Sequence, residues 1–117
     1  MDLKQYQQWT RTTAVYPGAN EQGFEEVNYL TLGLVSESGE VAGKLKKIIR
    51  GDLVNPESFL SEVSDVLWYL TRICDNIGIT LEQLADYNHA KLEARKATNT
   101  IKGSGESIES RAATSNA

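Results

Sequence analysis

The sequence predicts an all-α fold, a helical bundle of about four main helices with a polar tail. Apolar residues recur at helical spacing over long stretches, whereas Val, Ile and Thr are scattered without the alternation that is typical of strands. The connections between the predicted helices are short, which favours antiparallel neighbours. We therefore expect one helical domain over residues 1–98 and a flexible tail over residues 99–117, which are rich in Thr, Asn, Ser and Gly.

The first two helices are predicted from the breakers that follow them. The first covers about residues 3–13 and ends before a Pro17-Gly18 turn. The second covers about residues 24–49, where Gly51 stops it and basic side chains near its end complement the helix macrodipole. Each glycine inside a helix costs about 1 kcal/mol relative to alanine, and the glycines of this segment favour a break or kink near Gly39.

The third and fourth helices are predicted from their caps. Asn55 is a suitable N-cap, and Pro56 suits the first helical position. This helix is expected to end at residues 76–78, which include a glycine. Thr80 then caps the fourth helix, which extends to about Lys96.

Composition limits the class of protein. The chain has 117 residues and a net charge of −4, which excludes a generic, basic nucleic-acid binder. No apolar run approaches the roughly 18 residues of a membrane span, and the N-terminus lacks a signal-peptide pattern. The single Cys74 favours a reducing compartment, and the single His89 argues against a zinc site. We expect a cytoplasmic protein without nucleic-acid or membrane partners.

Two acid-x-x-acid pairs carry the main chemical signal. Glu37 and Glu40 lie in the second helix, and Glu62 and Asp65 lie in the third. At about 100° per residue, Glu37 and Glu62 flank the apolar stripes of their helices, with Glu40 and Asp65 further round. Solvated acids are expected on the opposite face. The pattern therefore predicts that two helices direct four carboxylates toward a shared interior.

Such a group of carboxylates requires compensation, because bringing anions together out of water is costly. Oxygen ligands without histidine favour the hard cations Mg²⁺ or Mn²⁺, and the lack of a second Glu-x-x-His motif disfavours a di-iron site. The alternative is that the acids pair with basic residues at helix edges. In that case Lys44 and Lys47 would serve Glu40, and Arg72 would serve Asp65 or Glu62.

Basic and amide side chains form a second candidate group. Asn88, Lys91 and Arg95 share one side of the fourth helix, and Lys44 follows Glu40 by one turn. A carboxylate site beside these cations suits a polyphosphate substrate, because Mg²⁺ bridges some phosphate oxygens while Lys and Arg neutralise the others. The alternative is that Lys91 and Arg95 lie over apolar surface or balance acids.

Three segments together resemble a known family. Residues 33–47 (GLVSESGEVAGKLKK), 61–70 (SEVSDVLWYL) and 87–95 (YNHAKLEAR) are similar to the motifs of MazG-like nucleotide pyrophosphohydrolases, and the likeness covers roughly residues 5–105. The resemblance implies an all-α NTP pyrophosphatase fold, assembled as a dimer or tetramer. It also implies Mg²⁺-dependent hydrolysis of a (d)NTP to the (d)NMP and pyrophosphate.

Matching positions imply the site residues. Glu37, Glu40, Glu62 and Asp65 would be the catalytic metal ligands, and the substrate contacts would be Lys44, Asn88, Lys91 and Arg95. Many members end in a G-x-G-D-x-R-like stretch. Here residues 103–106 read GSGE and the arginine is displaced to Arg111, so a closing role for Arg111 is open.

Two alternatives remain from the sequence. One is a non-enzymatic helical module that dimerises through its apolar face, and the other is a hydrolase of other pyrophosphate-containing nucleotides. Trp68 is predicted on an exposed face, as an interface residue or a platform for a base. Core positions are favoured for Tyr6 and Trp9, with nucleobase contact as the alternative, and Cys74 is expected to be buried and inert.

Overall fold

The chain folds into four α-helices in a computed structural model that describes residues 1–100. Helix α1 spans Leu3–Thr10 and continues as a single 3₁₀ turn over Arg11–Thr13. Helix α2 spans Phe24–Arg50, α3 spans Pro56–Ile77 and α4 spans Leu81–Ala97. Residues 1–100 contain no strand, so the predicted all-α class is confirmed.

The described residues divide into two compact units, Met1–Leu81 and a second that begins at Glu82. The boundary predicted at residue 98 stays a prediction, because most of the proposed tail lies outside the described residues. The GSGE stretch at 103–106 and Arg111 also lie outside the described residues, so their predicted roles stay predictions.

Helix α1 begins with a capping box. The Asp2 carboxylate accepts from the backbone N–H of Gln5 at 2.7 Å, and the Gln5 side chain accepts from the N–H of Asp2 at 2.8 Å. The predicted end at residue 13 is reached, but the last three residues form the tighter 3₁₀ turn.

Helix α2 is continuous through Gly39, so the predicted break is wrong. Long helices in proteins are held mainly by tertiary packing, and α2 packs along α3, which offsets the cost of its glycines. The helix ends at Gly51, whose φ of +94° is the left-handed conformation that glycine adopts without strain.

The predicted bounds of α3 are confirmed. The Asn55 side chain accepts from the N–H of Glu57 at 2.9 Å, Pro56 occupies the first turn, and Gly78 caps the other end at a φ of +80°. Local capping chemistry was therefore sufficient to place both ends of this helix.

The interior of the first unit is largely polar. Its buried apolar side chains, within the described residues, are those of Leu30, Cys74 and Leu81. Around them lie buried polar side chains from α1, α2 and α3: Gln7, Thr10, Glu26, Thr71, Arg72, Asp75 and Asn76. Buried polar groups are tolerated only when they are hydrogen-bonded. Thr71 donates to the Leu67 carbonyl of its own helix, and the other six side chains form one connected network.

Arg72 is the centre of the network and is wholly buried. Its guanidinium donates to Asp75 at 2.9 Å, to the Asn20 amide oxygen at 2.6 Å and to Glu26 at 3.3 Å. It also donates to the Tyr16 hydroxyl at 3.2 Å. These bonds join α2, α3 and the loop between the 3₁₀ turn and α2.

Glu26 holds that loop from the other side. Its carboxylate accepts from the Tyr16 hydroxyl and the Asn20 N–H, both at 2.6 Å, and from the Gln22 N–H at 3.2 Å. Asn20 and Gln22 have φ values of +63° and +57°, a conformation that is unfavourable for residues with side chains. The buried carboxylate therefore stabilises a locally strained loop.

Much apolar surface is uncovered on the halves of α2 and α3 that are near their connection. On α2 the exposed side chains include Leu45, Ile48 and Ile49, and on α3 they include Leu60, Val63 and Leu67. Surface patches of this kind mark interaction sites. No helix within residues 1–100 has the length and apolar content needed to span a membrane.

Candidate metal centre

Three of the four predicted carboxylates come together. Glu37 on α2 and Glu62 and Asp65 on α3 each offer one oxygen, and these oxygens all lie within 4.8 Å of one another. Glu37 and Glu62 are half-buried and Asp65 is exposed. The antiparallel neighbours α2 and α3 bring the two motifs level with each other, as the sequence predicts, and a role as metal ligands stays a prediction.

Glu40 does not join this group, although it is one turn from Glu37 on the same helix. Its side chain is exposed. Its charge still acts on the group, because it contributes to the raised pKa of Glu37. A direct ligand role for Glu40 is the part of the predicted set that the arrangement supports least.

The electrostatics of the group are those of crowded anions. Burial raises the pKa of Glu37 above its ordinary value, and the charge of Asp65 and the hydrogen bond with Glu62 raise it further. Within residues 1–100, no Lys or Arg lies within 4 Å of these carboxylates as an ion-pair partner. Three oxygens from hard ligands in such a group fit one small divalent cation.

Within residues 1–100, these acids do not form the alternative ion pairs with basic residues. Arg72, which the alternative assigns to Asp65 or Glu62, instead pairs with Glu26 and Asp75. Lys44 and Lys47 form no ion pair with Glu40 in the described part of the chain. Arg72 is turned away from Glu62 and Asp65 because α1 and its following loop cover the face of α3 that carries it.

Tyr69 packs directly against the backbone of α2 beside the carboxylates. An ideal Cβ built on Gly33 would lie 2.1 Å from the Tyr69 Cε1 atom, so only glycine fits at this position. Burial raises the pKa of the Tyr69 hydroxyl, and the neighbouring Tyr29 and the charges of Glu37 and Asp65 add to the effect. The ring therefore lies close to the acidic group.

A row of aromatic rings continues from Tyr69. Trp68 meets Tyr69 edge-on at 5.0 Å and Tyr16 edge-on at 6.0 Å, and Tyr16 stacks on Tyr29 at 4.9 Å. The predicted exposure of Trp68 is wrong. It is half-buried and its indole N–H donates to the Thr13 hydroxyl at 2.8 Å, because the 3₁₀ turn covers this face of α3.

A second aromatic pair stands on α1. Tyr6 and Trp9 have ring centres 6.0 Å apart. Burial raises the pKa of Tyr6, a hydrogen bond with Thr71 lowers it and the charge of Asp65 raises it, which puts Tyr6 within electrostatic reach of the acidic group. Trp9 is 48% exposed, so its predicted core position is wrong. Cys74 is buried as predicted.

The predicted substrate contacts are distributed over both units. Lys44 is half-buried on α2. Asn88 and Lys91 are exposed on α4, where Arg95 is 7% exposed and its Nη1 atom has no hydrogen-bond partner among residues 1–100. Their part in substrate binding stays a prediction.

Sequence reasoning missed the residues that support the site. Glu26, Arg72 and Asp75 hold α1 and its loop against α3, while Gly33 and Tyr69 are in direct contact beside the carboxylates. One signal was present: Thr71, Arg72, Asp75 and Asn76 give the C-terminal half of α3 a polar stripe at helical spacing. Such a stripe is normally solvated, and only the tertiary contacts of α1 reveal it as buried.

Comparison with known proteins identifies the family. The Gene 37 protein of Mycobacterium phage L5 is 37% identical over 112 residues, which cover 91% of this chain and 98% of that protein. The chain therefore belongs to the family of this phage protein. No protein-family model matches the chain, and no solved structure matches it significantly.

Proposed function

We propose that the protein is a Mg²⁺-dependent nucleoside triphosphate pyrophosphohydrolase of the MazG-like type, which converts a (d)NTP to the (d)NMP and pyrophosphate. The observation that carries the proposal is the group of Glu37, Glu62 and Asp65 on two neighbouring helices, without basic partners in the described residues. Mn²⁺ is a substitute of similar chemistry. A cytoplasmic location suits such a substrate.

The carboxylates have two tasks in this proposal. Glu37, Glu62 and Asp65 would hold the cation, and Glu40, one turn from Glu37, would be available to a second Mg²⁺ that enters with the substrate. When bound, Mg²⁺ neutralises phosphate oxygens and lowers the pKa of water. The carboxylates orient the attacking water toward the α-phosphorus and accept its proton. Hydrolysis then breaks the bond between the α-phosphorus and the oxygen that bridges it to the β-phosphate.

The basic side chains bind the triphosphate. Arg95 supports this part of the proposal, because a buried guanidinium with an unpartnered nitrogen is costly unless an anion completes its hydrogen bonds. Lys44, Lys91 and Asn88 would contact the remaining phosphate oxygens or the nucleoside. The half-exposed Trp9 beside Tyr6 offers an aromatic face to the nucleobase.

We further propose a homo-oligomer, a dimer or a tetramer. Its support is the uncovered apolar surface of the α2–α3 hairpin together with the small apolar core of the first unit. A single chain with so few buried apolar side chains gains little from the hydrophobic effect. A second copy would cover the exposed leucine, isoleucine and valine side chains.

The test is a panel of canonical and modified (d)NTPs incubated with Mg²⁺ and scored for pyrophosphate release. We expect pyrophosphate and the monophosphate from at least one substrate, and no turnover in EDTA. Release of orthophosphate alone, or turnover that is unaffected by EDTA, would contradict the proposal. Nucleotide sugars and dinucleotides belong in the panel, since cleavage of these without pyrophosphate release favours a hydrolase of other pyrophosphate-containing nucleotides.

A non-enzymatic dimerisation module is the second candidate, and the exposed apolar surface favours it. It does not account for the crowded carboxylates. Calorimetric titration with Mg²⁺ separates the two candidates, because a module that only dimerises shows no stoichiometric heat of binding.

A further inference from the structure

We propose that the contact between Tyr69 and Gly33 sets the separation of α2 and α3 at the carboxylates, and that this separation selects an ion of the size of Mg²⁺ over the larger Ca²⁺. The inference rests on the proposed function, because it presumes that the carboxylates hold a divalent cation. Tyr69 and Gly33 are positioning residues in it and touch neither the ion nor the substrate.

The contact is close enough to act as a spacer. A Cβ at Gly33 would lie 2.1 Å from Cε1, 2.4 Å from Cζ and 2.7 Å from Cδ1 of Tyr69, far inside van der Waals distance. The ring therefore rests on the helix backbone itself. Gly39 and Gly43, on the same helix, have nothing within 4 Å of an added Cβ. Gly33 is thus the glycine of α2 whose lack of a side chain is required by a neighbour.

The spacer stands next to the carboxylates on both helices. Gly33 is four residues before Glu37, and Tyr69 is four residues after Asp65 and seven after Glu62. Residues four and seven apart share one helix face, about one and two turns away from each other. A change in helix separation at the spacer is therefore transmitted to the carboxylates one turn away, with little room to be absorbed.

The ring of Tyr69 is itself restrained. Trp68 packs against it edge-on at 5.0 Å, and the Trp68 indole is anchored by its bond to Thr13. Aromatic pairs of this geometry are stabilising beyond the burial of their area, and moving the ring would forfeit that contribution. An added methyl group at Gly33 would therefore move the helices apart as well as the ring.

Ion size makes the separation matter. Mg²⁺ requires oxygen ligands at about 2.0–2.1 Å in near-octahedral geometry, whereas Ca²⁺ accepts them at about 2.3–2.6 Å in flexible arrangements. Ligands from two helices satisfy the first condition only when the helices are held close. A wider separation weakens Mg²⁺ binding more than Ca²⁺ binding.

The experiment titrates the full chain with MgCl₂ and, separately, with CaCl₂ by isothermal calorimetry, and records helix content and melting by circular dichroism. The variants are Gly33→Ala, Tyr69→Leu, the double variant and, as the matched control, Gly43→Ala. We expect Gly33→Ala to raise the Kd for Mg²⁺ by about tenfold, as for other residues that orient metal ligands, and the Kd for Ca²⁺ by less. Gly43→Ala should leave the ratio of the two constants unchanged.

The double variant tests the coupling, because leucine lacks the ring atoms that the new methyl group would meet. The ratio of its Kd for Mg²⁺ to its Kd for Ca²⁺ should return toward the ratio of the wild type. A folded Gly33→Ala protein with the wild-type ratio overturns the inference. If Gly33→Ala does not fold, Tyr69→Leu decides instead. It removes the spacer without adding a clash, so the helix separation is no longer fixed, and a folded Tyr69→Leu protein with the wild-type ratio of the two dissociation constants overturns the inference. A wild-type chain that binds neither ion overturns the proposed function as well, whereas binding with an unchanged ratio in folded variants overturns the inference alone.

Discussion

Arg72 shows how one buried side chain can organise several segments of a small protein. Its guanidinium bonds to the helices α2 and α3 and to the loop that carries Tyr16 and Asn20. A buried ion pair of this kind is weak evidence for net stability, because desolvation offsets much of the attraction. Removing one partner is strongly destabilising, because the remaining charges stay buried without compensation.

We therefore expect Arg72→Ala to lower the free energy of unfolding by about 3–5 kcal/mol. Urea denaturation followed by circular dichroism measures the change. Arg50→Ala is the matched control, because Arg50 pairs with Asp52 at the exposed surface, where such pairs contribute about 0–1 kcal/mol. Equal effects of the two substitutions would contradict the role given to Arg72.

The acid sensitivity of the fold follows from Glu26 and Asp75. Burial tends to raise the pKa of Glu26, but bonds from Asn76, Tyr16 and the backbone of Asn20 outweigh it, and the resulting pKa is below its ordinary value of 4.5. Burial likewise tends to raise the pKa of Asp75, but hydrogen bonds from Arg11 and Arg72 outweigh burial. The resulting pKa of Asp75 is below its ordinary value. A lowered folded-state pKa means stability that is present above the unfolded-state pKa and is lost as pH falls through the folded-state value.

Glu26→Gln should accordingly make the protein less stable at pH 7 and also less sensitive to acid below about pH 4.5. Urea midpoints measured between pH 3 and pH 7 test both parts. A variant whose midpoints remain parallel to those of the wild type over this range would show that Glu26 does not contribute to the pH dependence.

At the scale of the elements, the α2–α3 hairpin carries the candidate site. Without a cation, three like charges repel one another across the two helices. Removing one of them should therefore stabilise the metal-free chain, whereas removing a member of an ordinary ion pair would destabilise it. The two interpretations of the acids predict opposite signs.

Glu37→Gln and Asp65→Asn should each raise the melting temperature in EDTA, abolish its increase on adding Mg²⁺ and lower turnover by about 100-fold or more. Glu57→Gln is the control, because Glu57 is an exposed acid on the first turn of α3. Thermal scans with and without Mg²⁺ give the first two results, and pyrophosphate release gives the third. Near-normal turnover in either variant would remove that residue from the site.

The bounds of the helices could be predicted because caps and breakers act locally. Asn55, Pro56 and Gly78 set the ends of α3 by contacts within a few residues. The site could be predicted in part, because helical phase places Glu37 and Glu62 beside the apolar stripes. Phase alone could not separate Glu40 from the group, since the direction of its side chain depends on the neighbouring helix.

The polar interior could not be predicted, because it depends on contacts between residues that are far apart in the sequence. Arg72 meets Glu26 and Thr10 across 46 and 62 residues of sequence. Helical periodicity carries no information on which face a distant segment will cover. The same limit explains why helical phase predicts Trp68 at the surface, and why helix propensity counts Gly33 only as a cost to α2.

At the scale of the whole molecule, the exposed apolar side chains of the hairpin are the basis of the proposed self-association. Sedimentation of the wild-type chain should give the mass of a dimer or tetramer, and Leu67→Lys should shift it toward the monomer, because a charge in an apolar interface is left without a partner. Leu53→Lys, in the fully exposed connection after α2, is the control. A monomeric wild-type chain would contradict the proposed assembly.

The polar interior of the first unit also has a calorimetric consequence. Hydration of newly exposed apolar surface raises the heat capacity of an unfolding protein, whereas hydration of polar surface lowers it. Unfolding of a chain that buries Gln7, Thr10, Glu26, Thr71, Arg72, Asp75 and Asn76 should therefore show a heat-capacity increment per residue below the usual range of about 12–15 cal/mol/K. Its stability would then vary less steeply with temperature than that of a domain with an apolar core, and cooling would weaken it less.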